Sequence, residues 1–494
     1  MTRHHPILAA ARQFLRERWR DGRLPVIALL LLVLSGFATL LSSIDIARYE
    51  HHRVAAEKEE RETWMNQGAR NPHTVAHFSH LAFKPAQPGQ VLDKGPSDFL
   101  GSIVWMEAHW QRPANFRAAD DRLDLGRLAD LQLAWIWQVF GPLALIILGF
   151  DAIAQERERG TLALLAGNGI DLRALVIGKV LGLFGISALV LCAAMLPAAV
   201  SSYWLFPTAD SDTAWRLLAW LGLHLVYLLL VATVVIAVSA RNLDSRSALS
   251  ALLLVWIIEI LLVPRIAVTG ANTIQPVPSA TQFWLDIEHD TEFGLSANES
   301  AAARSQQLER ETLAHYQVQS LDQLPVSFAA LSLQSEENYG HAIFDRRFSA
   351  LQQAYRQQEQ VRLAIGLLSP LVAVQVVSAG SAATDLAHHL QFTAQVEVQR
   401  RALIAALNAD MIAHGAGQDF SYLADSRLWR RLPQAEYRSP SFASLSRQYL
   451  PAIAATLLWL VAALAYLQRV IAFLRANPRS RADDRTTPAT GHAA

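Results

Sequence analysis

The sequence predicts an all-α membrane protein with six transmembrane helices, both termini cytoplasmic, and a mainly helical extracytoplasmic domain inserted between helices one and two and helices five and six. Three observations carry that prediction. The 494 residues are 52% hydrophobic and 17% charged, yet mean hydropathy is only +0.20, so the apolar residues must be segregated into blocks. Six blocks reach the roughly 20 residues needed to cross a hydrocarbon core of about 30 Å. Arginines crowd those block ends that such a topology places in the cytoplasm.

Residues 1–23 form a basic start in which Ile7, Leu8, Ala11, Phe14, Leu15 and Trp19 share one helical face, the pattern of an amphipathic helix in the inner interface. The alternative is a basic, solvated topology signal. Transmembrane helix one covers 24–44; it is too long for a signal peptide core, and no convincing small-x-small cleavage site follows. An outer segment, 45–130, comes next, broken into loops and short elements by Pro72, Pro85, Pro88, Gly89, Gly95 and Pro96. The second helix is 131–154, a cytoplasmic loop is 155–171, and helices three, four and five are 172–204, 215–240 and 248–268. The second outer segment spans 269–448, helix six is 449–474, and 475–494 is a cytoplasmic tail. Within the bilayer every backbone polar group needs an internal partner, which makes each span helical.

Orientation follows from Arg3, Arg12, Arg16, Arg18, Arg20 and Arg23 before the first span, and from Arg469, Arg475, Arg479, Arg481 and Arg485 around the end of the sixth. Arg241 and Arg246 mark the inner loop between spans four and five, whereas Asp210 and Asp212 mark the outer loop before span four. Arg216, just inside span four, dissents. Trp135, Trp137, Trp204, Trp215 and Tyr449 fall near outer span ends, as an aromatic belt does. In the second outer segment, helix-prone stretches run over 296–319, 337–362 and 384–413, with Leu386, Leu390, Val396, Leu403 and Leu407 at helical spacing in the last. The apolar run 363–383 is long enough to suggest a seventh span. Ser369-Pro370, Gln375 and a Ser-Ala-Gly-Ser cluster interrupt it, and a seventh crossing would put the arginine-rich tail outside, so it reads as a buried or membrane-surface helix of the outer domain.

Composition excludes several functions. Cys192 is the sole cysteine, so there is no intrachain disulfide and no cysteine metal site. Zero formal net charge argues against nucleic acid as a partner. No Gly-x4-Gly-Lys-Ser/Thr loop is present, since Gly178-Lys179 is followed by Val180, so any ATP that drives this protein is bound by another chain.

The charged knot 155–162 lies between two apolar runs: Gln155, Glu156, Arg157, Glu158, Arg159, Gly160, Thr161, Leu162. Leu164 and Leu165, a Gly167-Asn168-Gly169 turn, Arg173 and a new apolar helix near Gly178-Lys179 follow it. Read physically, Gly160 lets a short helix turn sharply, through backbone reach or a positive φ. Glu156 and Glu158 can then offer charge-assisted hydrogen bonds to a cationic surface. A solvated turn marking the interface is the bland reading.

That succession resembles the first cytoplasmic loop of type 2 ABC transporter permeases, where Glu-x-Glu-x-Gly-Thr-Leu precedes the third membrane span. The six-span plan and the basic start resemble the exporter class of that superfamily. Asn71-Pro72-His73 through Phe83-Lys84-Pro85, and Thr384-Asp385-Leu386-Ala387-His388-His389, are similar to a bacterial subgroup with enlarged extracytoplasmic regions. Together these cover most of the chain. The resemblance implies that Glu156 to Leu162 dock a dimeric cytoplasmic ATPase that binds ATP and Mg, this chain holding no cofactor itself. It further implies a second permease subunit, identical or related, and multi-pass placement in the bacterial inner membrane. Ala163 stands where a glutamate often follows Thr-Leu, which removes one polar contact to the ATPase.

Other residues compete for a role. His73, His77 and His80 have a spacing that shares a helical face, and His388 and His389 could join them around Zn or Cu. Pro72 breaks the local pattern and no acidic partner is evident, so ordinary packing is the preferred reading there. Ionisable residues in a membrane are costly: Glu259 and His224 are candidates for translocation or gating, or for interhelical hydrogen bonds, while Arg265 beside Pro264 snorkels outward. The leading function is therefore an ABC permease subunit, exporting a substrate or doing mechanical work outside, with a periplasmic protein as a further candidate partner. The alternative is a membrane-tethered sensor or assembly factor that binds a protein or metal through its outer domain. An intramembrane enzyme would need a convergent nucleophile or metal constellation, and the sequence offers none.

Overall fold

The computed structural model describes residues 6–77, 80–118, 120, 131–296, 299–366, 368–432 and 436–476. Arg3, Arg479, Arg481, Arg485, the tail beyond 476 and the end of the first outer segment lie outside them. Helix dominates, with one two-stranded antiparallel sheet, β1 (His80–Phe83) paired to β2 (Ile103–Met106) in the register His80 opposite Met106. Among the described residues, seven helical stretches are long and apolar enough to cross a membrane. The chain is a multi-pass membrane protein.

α1 (Pro6–Arg20) lies across α7 (Leu172–Leu205). A Cβ on Gly178 would sit 2.5 Å from the Ile7 carbonyl oxygen, so glycine is what lets the two backbones meet. Phe14 is buried in that contact, whereas Leu8 and Trp19 face outward. Arg18 is also buried, bonded to Asp151 at 2.7 Å, and Arg23 reaches the same carboxylate at 3.0 Å. The basic start is therefore stapled to the C-terminal end of α4, which opens as Leu133–Trp135, passes a π-helical turn at Ile136–Phe140 and continues as Gly141–Gly149.

α2 is a single helix, Arg23–Met65. It continues about 20 residues past the apolar block, where the sequence suggested loops. Those residues hold no proline or glycine, and Arg53 bridges Glu50 and Glu57 along the helix surface, the spacing that supports a solvated helix. Short α5 (Ala154–Glu158) and α6 (Thr161–Gly167) fill the loop to α7; α8 (Ser211–Arg241) follows. α9 runs as Ser245–Ile257, a π turn at Ile258–Leu262, then Val263–Ile274. The bundle core gathers Trp137, Leu145, Leu183, Trp220 and Ile236, all essentially inaccessible.

Outside the bundle stand α10 (Ala280–Phe293), which lies before the expected helix-prone stretches, α11 (Ala301–Tyr316) and α12 (Phe328–Gly366). The end of α12 descends beside α9, where Gln358 bonds Asn272 and Gln275. α13 (Pro370–Ser381) wedges between α8 and the last helix, α16 (Phe442–Ala476). α14 (Leu386–His414) buries Val396, Leu403 and Leu407 in the outer core. α15 (Ser426–Arg431) carries Trp429, whose backbone oxygen accepts from Trp64 Nε1 at 3.1 Å, so the far end of α2 belongs to that core.

The seventh apolar stretch is α13 and α14 taken together, and it is not one helix. Ala383 takes φ 61°, and Asp385 starts α14 by accepting the His388 N–H. With 12 residues, α13 is about 18 Å long, short of a membrane crossing.

Candidate functional site

Gly160 adopts φ 73°, ending α5 and opening α6, a conformation that residues with a Cβ resist. Two of the knot's four charges, Glu156 and Arg157, turn inward. Glu156 Oε1 meets the buried Lys179 Nζ at 2.6 Å, and that ammonium also donates to the Ala152 carbonyl at 2.5 Å. Arg157 is 2% exposed and donates to the carbonyls of Ala240 at 3.2 Å and Asn242 at 3.4 Å, satisfying the end of α8, while its guanidinium lies over Phe473 of α16. Glu158 Oε2 accepts from the Ser245 hydroxyl at 3.0 Å, at the start of α9. Thr161 donates to the Glu156 carbonyl, and Leu162 is buried. Glu158 and Arg159 of the knot are exposed, as is Leu164 just beyond it. Glu156 and Arg157 are thus positioning groups that join the loop to α7, α8 and α16, which spacing alone could not distinguish from contact residues.

His224 is fully buried and stacks on Trp220 at 3.8 Å between centroids. Its Nδ1 donates to the Trp220 carbonyl at 2.8 Å, leaving Nε2 to accept from Gln138 at 3.3 Å across to α4. Tyr227 donates to the Gln138 carbonyl, and Trp220 Nε1 to Ser378 of α13 at 2.9 Å. Ser378 in turn bonds the buried carboxylate of Asp93, whose pKa burial raises. His224 is therefore one link in a polar chain across α4, α8 and α13. Glu259 sits in the π turn of α9 and accepts from Ser369, the cap of α13. Each π turn carries a polar residue, Gln138 in one and Glu259 in the other, and such turns often mark functional positions.

The histidines separate into three places. His80 leaves the expected set: it is buried against Trp64 and pairs with Glu60. His388 is bonded to Asp385 at 2.5 Å and to Arg216 at 3.3 Å. Arg216, anomalous as an outer charge, is buried there and also holds Asp212, the Gly380 carbonyl and the Pro440 carbonyl. Burial, then the nearby Lys84 charge, lowers the His389 pKa to about 3, and burial lowers that of Lys84 to about 8. The Phe83-Lys84-Pro85 and Thr384-to-His389 motifs thus meet at one junction above the bundle.

His73 and His77, on α3 (Pro72–His77), do stay together, with Nε2 atoms 3.1 Å apart. The residue that joins them is His109, 32 positions after His77 and without a local pattern that links it to them. The three offer ligand nitrogens all within 4.8 Å of one another. Burial, then the neighbouring His77 and His109, lowers the His73 pKa to about 4.

A domain of unknown function, DUF3526, matches residues 280–438. That range is the outer segment from α10 through α15, and leaves the membrane helices unmatched. No curated protein matches the chain.

Proposed function

We propose that this chain is the membrane-spanning subunit of an ATP-binding cassette transporter, with six membrane spans, both termini cytoplasmic, in a bacterial inner membrane. ATP and Mg are bound by a separate cytoplasmic ATPase dimer, and two such subunits, identical or related, complete the assembly. One observation carries the reading: the 155–162 loop is bonded at once to α7 through Lys179, to α8 through its end carbonyls and to α9 through Ser245. A push on this loop moves three membrane helices together, as a coupling element requires. α13, too short to cross, closes the outer end between α8 and α16 and leaves the span count even. Nearly all of the apolar length of α9 is unburied, an apolar face available to lipid or a second subunit.

The inward turn of Glu156 decides the test. Charge reversal there would break the Lys179 pair and disturb the fold, so Arg159→Glu combined with Leu164→Asp is the informative variant. Wild type purified from membranes is expected to bring down a P-loop ATPase with ATP-hydrolysing activity, and the variant to lose it while keeping its melting temperature. A folded wild type that captures no such ATPase would refute the transporter reading. Function would then rest on the outer domain as a sensor or assembly surface.

A further inference from the structure

We propose that His73, His77 and His109 form a mononuclear site for a divalent transition metal of the zinc class, with three imidazole ligands and one solvent-facing position. It rests on no part of the transport reading.

Two imidazole nitrogens bound to one tetrahedral zinc at about 2.0–2.1 Å lie about 3.3 Å apart. The Nε2 atoms of His73 and His77 stand at 3.1 Å, and no two ligand atoms of the set lie more than 4.8 Å apart, so ring movement of about 1.5 Å at most closes the triad. A hydrogen bond between two neutral rings would explain the pair alone. It does not explain the third ring or its support.

His109 takes φ 67°, an unusual conformation for a residue with a side chain. Glu337 of α12 holds it there. One carboxylate oxygen accepts the His109 backbone N–H at 2.5 Å and lies 2.9 Å from Nδ1, which fixes the tautomer and leaves Nε2 for a metal. A carboxylate behind a ligating histidine is the usual second partner in zinc sites. Glu337 is 2% exposed and is itself held by Arg400 and His341, both at 3.5 Å. The opposite wall is equally fixed. Asn71 accepts the N–H groups of His73 and Thr74 and donates to the carbonyls of Asp419 and Tyr422, while Ala108 N–H bonds the Ala76 carbonyl, locking the His109 loop to α3. Ligands from the first outer segment are thus supported by residues of the second. Imidazole donors without thiolate suit zinc or copper, and the exposed His77 leaves room for a water or substrate in the fourth position.

Cobalt(II) supplies the test, with the full-length protein in detergent after chelator stripping. Wild type is expected to bind one Co2+ with the visible absorption of a four-coordinate centre, displaced by one equivalent of Zn2+. His77→Ala, at an exposed position that the fold tolerates, should weaken binding at least 100-fold, and Glu337→Gln about 10–100-fold. A His51→Ala, His52→Ala variant, at exposed positions outside the set, should bind as wild type does. Full affinity in His77→Ala, or a loss in the His51, His52 variant instead, overturns the proposal.

Discussion

At the scale of single residues, buried charges do the joining that periodicity cannot reveal. Asp151 accepts from both Arg18 and Arg23, with the Arg18 and Asp151 side chains each 6% exposed. Asp151→Asn leaves both arginines only the partly exposed Asp21, so it is expected to cost less than the roughly 3–5 kcal/mol of a fully stranded buried ion. Thermal unfolding in detergent should show it, with much of the loss recovered when Arg18→Met is added. Residue types and spacing made the 155–162 knot and the histidine-rich segment stand out. Orientation was another matter. Glu156 faces Lys179, 23 positions along the chain, and His109 reaches His73 through a turn with positive φ. Neither relation leaves a local mark in sequence, and His80, on β1, lies outside the cluster, buried against Trp64 and paired with Glu60.

Among elements, close approach is what small residues encode. Gly380 of α13 faces the ring of Tyr449 on α16 so tightly that a Cβ would lie 2.3 Å from it, while the Tyr449 hydroxyl donates to Asp385 at 2.7 Å. Gly380→Ala must displace that ring, and overpacking of this kind costs about 1–3 kcal/mol. The expected result is a lowered melting temperature, whereas Tyr449→Phe should lose only the hydrogen bond. The apolar blocks were legible because hydrocarbon imposes length and composition on any helix that crosses it. The break between α12 and α13 was legible too, from Ser369-Pro370, whereas the turn at Ala383 between α13 and α14 was not. The outward extension of α2 was not, since a charge-mixed stretch without breakers reads equally as linker or solvated helix, and only Trp64 docking on Trp429 decides between them.

For the whole molecule, sidedness is the property most open to direct measurement. With Cys192→Ser removing the native thiol, single cysteines at the exposed positions Arg159 and Arg427 should react with a membrane-impermeant maleimide from opposite faces of the bilayer. Labelling of both from one face would refute the even-span arrangement. Fold class and the helical nature of the outer segment could be read from sequence, while the convergence of both outer segments on one histidine cluster needed three-dimensional structure. The unbroken 43-residue helix α2 gives that convergence a mechanical meaning. At 1.5 Å per residue it is a rod about 65 Å long. Its inner end is beside the Arg18–Asp151 staple and its outer end is seated against Trp429. If it pivots near mid-membrane, a tilt of about 10° carries the outer end through roughly 6–8 Å, more than a full helical turn. A small rearrangement at the Arg18–Asp151 end would therefore be delivered to the Trp429 end as a displacement large enough to open or close a ligand sphere.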